Sequence, residues 1–334
     1  MKDASFSIVI PTYRRPDALR TTLSAVLGLR TPGDCELIVV DNAGDTATER
    51  VVKDVEGNRQ VVHYERFTGG GAAAARNRGA ELAGGRWLLF CDDDVMPVQV
   101  DHLERHLSAH LAHPRALVAG EWSFLPDLER SFEATSFGRY RLELEAGFRE
   151  RVRARPIGSE RVEPQFIDSN NLSVERSLFT QLGGFDPAFP YAGAEDQDLS
   201  LRAREAGCTL VLDRSIRVHH NDRRLSLREF CTREERSAQT VVILARNFPA
   251  EAGDRALLTE NRPISRGDRP ALIAKKIAKG ILSRKVPLAG LHRLTELVER
   301  LPIGEPFLRR FYRATIGLHI FRGVRTALTT TNES

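Results

Sequence analysis

Trp87-Leu88-Leu89-Phe90-Cys91-Asp92-Asp93-Asp94 is the stretch on which the reading of this chain turns. An unbroken apolar run suits a strand buried on both faces, and the carboxylates that follow cannot share that burial unaided. Something has to offset their mutual repulsion. A divalent cation bridging to phosphate does so, because Mg2+ or Mn2+ takes one or two carboxylates and completes its shell with phosphate and water. The other use of such acids is to cap a helix start.

Outward from this strand the pattern repeats. Phe6-Ser7-Ile8-Val9-Ile10 reads as a buried strand stopped by Pro11, and Leu19, Leu23, Val26 and Leu27 predict a helix over 16–29. A second strand over 36–40 ends in Asp41-Asn42, a helix covers 46–55, a third strand covers 60–65, and an alanine-rich helix covers 72–82. Strands alternating with helices at this interval predict an α/β fold, a mostly parallel sheet flanked by helices. Such sheets bind ligands outside the carboxyl ends of their strands, which here carry Thr12, Asp41 and Asp92–Asp94.

Downstream, a helix over 177–182 ends in Gly183-Gly184, and Glu195-Asp196-Gln197-Asp198 opens a helix over 197–205. A strand over 209–212 leads toward His219 and His220. Trp122, Phe124, Phe132, Phe137, Tyr140 and Phe148 fall among many arginines. Such rings stack on the flat faces of ligands or fill cores.

The chain of 334 residues carries a net charge of +4, distributed unevenly. From Asn261 onward there are 15 Lys+Arg and 5 Asp+Glu, a local balance of +10 that leaves the rest at −6. Ile273, Ile277 and Ile281 with Ala274 and Ala278, then Leu291, Leu294, Val298 and Leu301, then Phe307, Phe311, Ala314 and Leu318, predict amphipathic helices interrupted by Pro287, Pro302 and Pro306. Lys275, Lys276 and Lys279 lie off the first apolar face. Packing is the default use of these helices, with pairing of two subunits or peripheral contact with an anionic membrane as the alternatives. The four cysteines have no C-x-x-C spacing and read as free thiols in a reducing cytoplasm. Met1-Lys2-Asp3-Ala4 opens no secretory signal, and no apolar run approaches the roughly 18–20 residues of a spanning helix. The expected location is cytoplasmic, at most peripheral to the inner face of the membrane.

Taken in order, these motifs resemble glycosyltransferase family 2, inverting nucleotide-sugar transferases of the GT-A fold. The resemblance runs from about Phe6 to His220. It rests on Ser7–Tyr13, Val39-Val40-Asp41-Asn42, Ala75-Arg76-Asn77-Arg78-Gly79, Asp92-Asp93-Asp94, Gly183-Gly184-Phe185-Asp186 and Glu195-Asp196-Gln197-Asp198-Leu199. It implies a nucleotide-diphosphate sugar donor held by Pro11, Thr12, Tyr13, Arg14, Asp41, Arg76, Asp92, Asp93 and Gly184. Mg2+ or Mn2+ would sit on Asp94 and His219, with His220 as the other candidate. Glu195 and Asn171 would lie on the acceptor side, and Asp196 would be the general base. The acceptor would be a glycan, a lipid-linked or a small molecule, and no nucleic acid is implied. The second motif departs from the family's D-D-G-S by reading Asp41-Asn42-Ala43-Gly44. The implied organisation is a GT-A domain over 1–250, with a nucleotide-sugar half over 1–100 and an acceptor half over 101–250, followed by a basic helical region over 251–334.

The base assignment has a physical rationale. A sugar hydroxyl is a poor nucleophile until a carboxylate takes its proton, and one base suffices because the diphosphate leaves as a stabilised anion. Other readings fit less well. Gly69-x-Gly71-x-x-Ala74 followed by Asp92 mimics a dinucleotide fingerprint, but that pattern uses one acid at its strand end. A sugar nucleotidyltransferase would carry a Gly-rich turn directly after the first strand, where this chain has Pro11-Thr12-Tyr13-Arg14. A sugar-binding protein without catalysis would not need Asp94, Asp196 and His219 together.

Overall fold

The computed structural model describes residues 5–55, 61–151, 154–250, 255–301 and 304–330. Met1–Ala4, Gln60, Pro302 and the side chain of Phe148, all used above, lie outside the described residues. The strands are β1 (Phe6–Thr12), β2 (Cys35–Asp41), β3 (Val61–Arg66), β4 (Trp87–Cys91), β5 (Val95–Pro97), β6 (Ala116–Phe124), β7 (Ala154–Pro156), β8 (Arg161–Pro164), β9 (Asn171–Glu175) and β10 (Thr209–His220). Interleaved with them are α1 (Pro16–Leu27), α2 (Thr46–Val55), α3 (Ala72–Leu82), α4 (His102–Ala112), α5 (Pro126–Glu133), α6 (Ser136–Arg151), α7 (Arg176–Gln181) and α8 (Glu195–Glu205). The chain then becomes helical: α9 (Leu227–Asn247), α10 (Arg255–Asn261), α11 (Pro270–Leu282), α12 (Lys285–Glu299) and α13 (Glu305–Thr330).

The strands form one sheet in the order β3-β2-β1-β4-β9-β6-β10-β8-β7, with β5 on β10. β3, β2, β1 and β4 are parallel neighbours, as are β6 and β10, and β9 runs antiparallel between the two groups. Period-two alternation sorts their side chains. Ile8, Ile10, Leu37, Val39, Trp87 and Leu89 bury on one face, and Val9, Ile38, Val40, Leu88 and Phe90 on the other. Both faces are covered, which is why these strands read as continuous apolar runs.

Pro11 does not end β1, which continues to Thr12. The Thr12 carbonyl accepts from Asn42 N–H on the β2 side, so residue 11 faces the β4 side, where pairing stops at Val9. A missing N–H costs nothing there.

The chain forms two compact units. The first runs to Pro126 and adds Glu150–Pro190 and Glu195–Asp222; the second takes Asp127–Arg149, Tyr191–Ala194 and the chain from Arg223. Residue 250 therefore falls inside the second unit: Ala238 and Val242 of α9 pack on Val324 of α13. Phe137 and Tyr140 belong to this unit's core with Phe230 and Tyr312, and Phe132 is also fully buried. These rings fill a core.

The C-terminal helices differ from expectation in two ways. Pro287 and Pro306 lie in the first turns of α12 and α13, where a missing N–H is tolerated, so neither interrupts a helix. In α11 the buried residue is Lys276, paired with Asp268 at 2.6 Å, while Ile277 and Ile281 are about half exposed. The apolar stripe of α11 faces outward because an ion pair, with Arg262 also on Asp268, claims the inner face.

Candidate active site

Because β1, β2 and β4 are parallel, their carboxyl ends share one edge of the sheet, and the acids after β4 meet the turn after β1 there. Thr12 Oγ1 donates to Asp93 Oδ2 at 2.7 Å, and Thr22 Oγ1 of α1 donates to the Asp93 carbonyl. Arg15 spans the two acids, with Nη1 2.7 Å from Asp93 and Nη2 2.5 Å from Asp94. Arg14 takes a left-handed backbone, φ 53°, and stacks its guanidinium over Tyr13, so Arg15 and not Arg14 turns inward. The sequence reading missed Arg15, since two adjacent arginines before a helix look alike.

His220 approaches Asp94 from the end of β10, Nε2 to Oδ1 at 3.4 Å. Burial works against ionising both Asp93 and Asp94, with different outcomes. Asp94 is held well below the usual carboxylate range because His220 and Arg15 outweigh its burial. For Asp93 burial dominates, aided by the neighbouring Asp94 charge, and its carboxyl is pushed up despite Arg15. The His220 imidazole is pushed up in turn: Asp94 outweighs the desolvation that alone would lower it.

The third acid faces another cation. Arg76, on α3, is 3% exposed and donates from Nη2 to Asp92 at 2.7 Å and from Nη1 to Glu195 at 2.9 Å. It therefore ties the end of β4 to the start of α8. Asp196 follows, half-buried, with its Oδ1 accepting from Gln197 N–H at 2.8 Å. Burial, then the charges of Glu195 and Asp168, push the Asp196 carboxyl well up. Asp168 also accepts from Trp122 Nε1 at 3.2 Å, and Trp122 stands edge-on to His220 with centroids 5.3 Å apart. Trp122 and Asp168 thus join the two clusters, and neither followed from a motif.

Asn77, beside Arg76, has a separate task. Its amide donates to the Phe185 carbonyl at 2.7 Å and its oxygen accepts from Phe185 N–H at 2.9 Å. Gly184 sits there at φ +68°, and a Cβ would lie 2.7 Å from Asn77 Oδ1, so glycine is required by this clamp. Gly79, one turn on from Arg76, lets α3 approach β1: a Cβ would meet Val9 at 2.2 Å.

Some expected residues stand apart from this cluster. His219 places Nδ1 3.2 Å from Ser123 Oγ, on the opposite side of β10 from His220, so His220 is the histidine at Asp94. Buried Val218 shares its face with His220. Asn171 does not reach an acceptor side: it is buried, and its Oδ1 is within 3.0 Å of His102 Nε2 and 3.3 Å of His106 Nε2. Ser173 Oγ lies 2.8 Å from His106 Nδ1 and from His110 Nε2. Burial lowers the pKa of all three α4 histidines, His102 to about 4 and His110 to about 3, so this is a neutral core network. Asp41 is fully buried, with Oδ1 accepting from Ala43 N–H and Oδ2 from Asp45 N–H and Tyr64 Oη; it shapes the turn after β2. Pro11 is buried in β1, whereas Tyr13 is 54% exposed on the same turn.

The donor set suits a hard divalent cation. Asp94 brings an anionic oxygen and His220 an imidazole nitrogen, Nε2, that faces it at 3.4 Å. Two protein donors leave the remaining positions to phosphate oxygens and water, the arrangement Mg2+ or Mn2+ accepts.

Comparison with known proteins bears on the family and the fold. Residues 7–157 match the model for Glycosyl transferase family 2. The uncharacterized glycosyltransferase YfnE of Bacillus subtilis is 24% identical over 253 residues, 65% of this chain and 64% of that protein. Validoxylamine A glucosyltransferase of Streptomyces hygroscopicus subsp. limoneus is 27% identical over 226 residues, 62% of this chain and 49% of that protein. The aligned parts thus span less than two thirds of the length of these relatives, 64% and 49%. Among solved structures, the mannosyltransferase PcManGT from Pyrobaculum calidifontis, in complex with GDP-Man and Mn2+, superposes with a TM-score of 0.58 at 16% identity, covering 97% of this chain and 86% of that one. At that identity the likeness establishes the fold, GT-A.

Proposed function

Because residues 7–157 place this chain among the family 2 glycosyltransferases, we propose that it moves a glycosyl group from a nucleoside-diphosphate sugar to an acceptor hydroxyl with inversion, Asp196 acting as general base. The observation that carries this reading is Arg76, which holds Asp92 at the donor edge and Glu195 beside Asp196 in one buried bridge. The end of β4 and the start of α8 are thereby fixed to each other.

In the transfer the acceptor oxygen forms a bond to the anomeric carbon as the bond to the diphosphate breaks, and the leaving group departs with that electron pair. Asp196 takes the hydroxyl proton. Its raised pKa makes it the better base, while the charge of Glu195 is taken up by Arg76. Trp122, anchored on Asp168, lies beside the same cluster, where an acceptor sugar would bind. Thr12 and Arg15 keep Asp93 and Asp94 in place. A cation on Asp94 and His220 would stabilise charge on the departing diphosphate. Turnover by this arrangement is also what separates it from a non-catalytic sugar-binding protein.

A panel of uridine, thymidine and guanosine diphosphates and their sugars, with Mg2+ or Mn2+, tests the donor side. One base should raise the melting temperature only in the presence of metal, because phosphate completes the cation's shell. Equal stabilisation in excess chelator would remove Asp94 and His220 from the proposal.

The second unit supplies a further element of this reading, contact with an anionic membrane surface. No helix among the described residues is long and apolar enough to cross a membrane. Yet Ile277, Ile281, Leu282, Val286, Leu294 and Leu297 are 45–83% exposed, with Lys275, Arg284, Lys285, Arg293 and Arg300 exposed among them. Apolar residues flanked by cations match a bilayer of acidic headgroups, which would also present a lipid-linked acceptor. Deleting the tail is a poor test, since α13 completes the core around Tyr312 and Ile316. Ile281→Glu with Val286→Glu should instead abolish salt-sensitive binding to phosphatidylserine vesicles. Unchanged binding, or a loss of self-association in its place, would refute the membrane assignment.

A further inference from the structure

The second unit contains a donor cluster that the transfer reaction does not use. Cys231 of α9, His292 of α12 and His319 of α13 are all buried, and their ligand atoms lie within 4.8 Å of one another. The two imidazoles point at each other, Nε2 to Nε2 at 3.0 Å. His319 Nδ1 lies 2.6 Å from Glu235 Oε2, one turn along α9 from Cys231, and Glu235 Oε1 is 3.3 Å from Arg322.

Each feature has a meaning in metal chemistry. A carboxylate on Nδ1 fixes the tautomer that leaves the Nε2 lone pair free and raises its basicity, the usual outer-shell support of a metal-binding histidine. Nitrogen and sulfur donors select a borderline-soft ion with tetrahedral preference, which among common divalent ions is zinc. An N-to-N separation of 3.0 Å suits two ligands of one such ion after slight spreading, given metal–nitrogen bonds of about 2.0–2.1 Å. The ligands come from three different helices, which also share apolar packing around Phe230, Val298 and Tyr312 and the polar pairs Arg228–Glu296 and Tyr312–Glu299.

We propose that Cys231, His292 and His319 form a zinc site that clamps α9, α12 and α13 together, with Glu235 orienting His319. Binding releases the Cys231 thiol proton, leaves both Nε2 lone pairs on the ion, and places the His292 proton on Nδ1. Thiolate and Glu235 carboxylate together balance the ion's charge. A water molecule completes the shell, and the role is structural.

The test uses the full-length protein, with metal content measured after gel filtration and with Co2+ as a spectroscopic stand-in. The expected result is about one equivalent of zinc per chain and, with Co2+, a thiolate-to-cobalt charge-transfer band with the intense visible absorption of tetrahedral cobalt. Cys231→Ser should lose the charge-transfer band, and His319→Gln should lose the bound metal, while both keep nucleotide- and Mn2+-dependent stabilisation at the Asp94 edge. The wild-type Co2+ spectrum decides the question even if a variant misfolds. Absence of stoichiometric zinc after its addition, a Co2+ spectrum without a thiolate band, or metal lost through Asp94→Asn instead of Cys231→Ser would each overturn the proposal.

Discussion

Asp196→Asn should slow glycosyl transfer by roughly 10²–10⁴-fold, the range for loss of a general base. The substitution keeps the size of the side chain and its bond to Gln197 N–H but removes the group that accepts the acceptor's proton. Arg76, Asp92 and Asp94 are untouched, so the loss should fall on kcat and leave donor KM nearly unchanged. The pH profile supplies a second readout. The base works only when deprotonated, and burial with Glu195 and Asp168 pushes its carboxyl up, so activity should fall as pH drops through a value above the ordinary carboxylate range. The acid limb should vanish in Asp196→Asn. Glu195→Gln is the contrasting variant. It leaves the buried Arg76 short of one anion, so it should cost stability and donor affinity together. Turnover that survives Asp196→Asn but not Glu195→Gln would move the base to Glu195, and turnover surviving both would reduce this helix start to a cap.

The second large effect is expected from Asp94→Asn. A neutral amide is a poor ligand for a hard cation, so metal-dependent donor stabilisation should disappear. Donor with metal at about 100 times its Kd stabilises a protein by ~2.7 kcal/mol, and this increment is what a thermal-shift titration would lose. Transfer should fall by roughly 10²–10³-fold, the scale of losing one preorganised electrostatic contact. The fold should persist because Arg15 keeps its pair with Asp93, and His220 loses only a partner that held it protonated. Retained metal affinity and transfer would mean that Asp94 merely neutralises Arg15.

The sequence by itself determined the parallel strands β1 to β4 and the acids at their carboxyl edge. Burial on alternate sides of β1, β2 and β4 is written in consecutive residues, and Asp92–Asp94 follow β4 directly, so both features are local. The acids of α8 were legible for the same reason, whereas the packing of Gly79 on Val9 and of Gly184 on Asn77 was not. Only the tertiary structure decided which member of a neighbouring pair faces inward. His220 replaces His219 because the pairing of β10 with β5 and β6 sets its facing. Arg15 replaces Arg14 because one left-handed residue reverses the turn. Arg76 meets Glu195 across 119 residues, and Asn171 is drawn into the histidines of α4, through contacts that no local pattern encodes. The outward stripe of α11 follows from an ion pair between Lys276 and Asp268, where a charged residue won the buried face because its partner was already there. Periodicity fixes which residues share a face, but which face is buried depends on what lies opposite, and that is known only once the chain has folded.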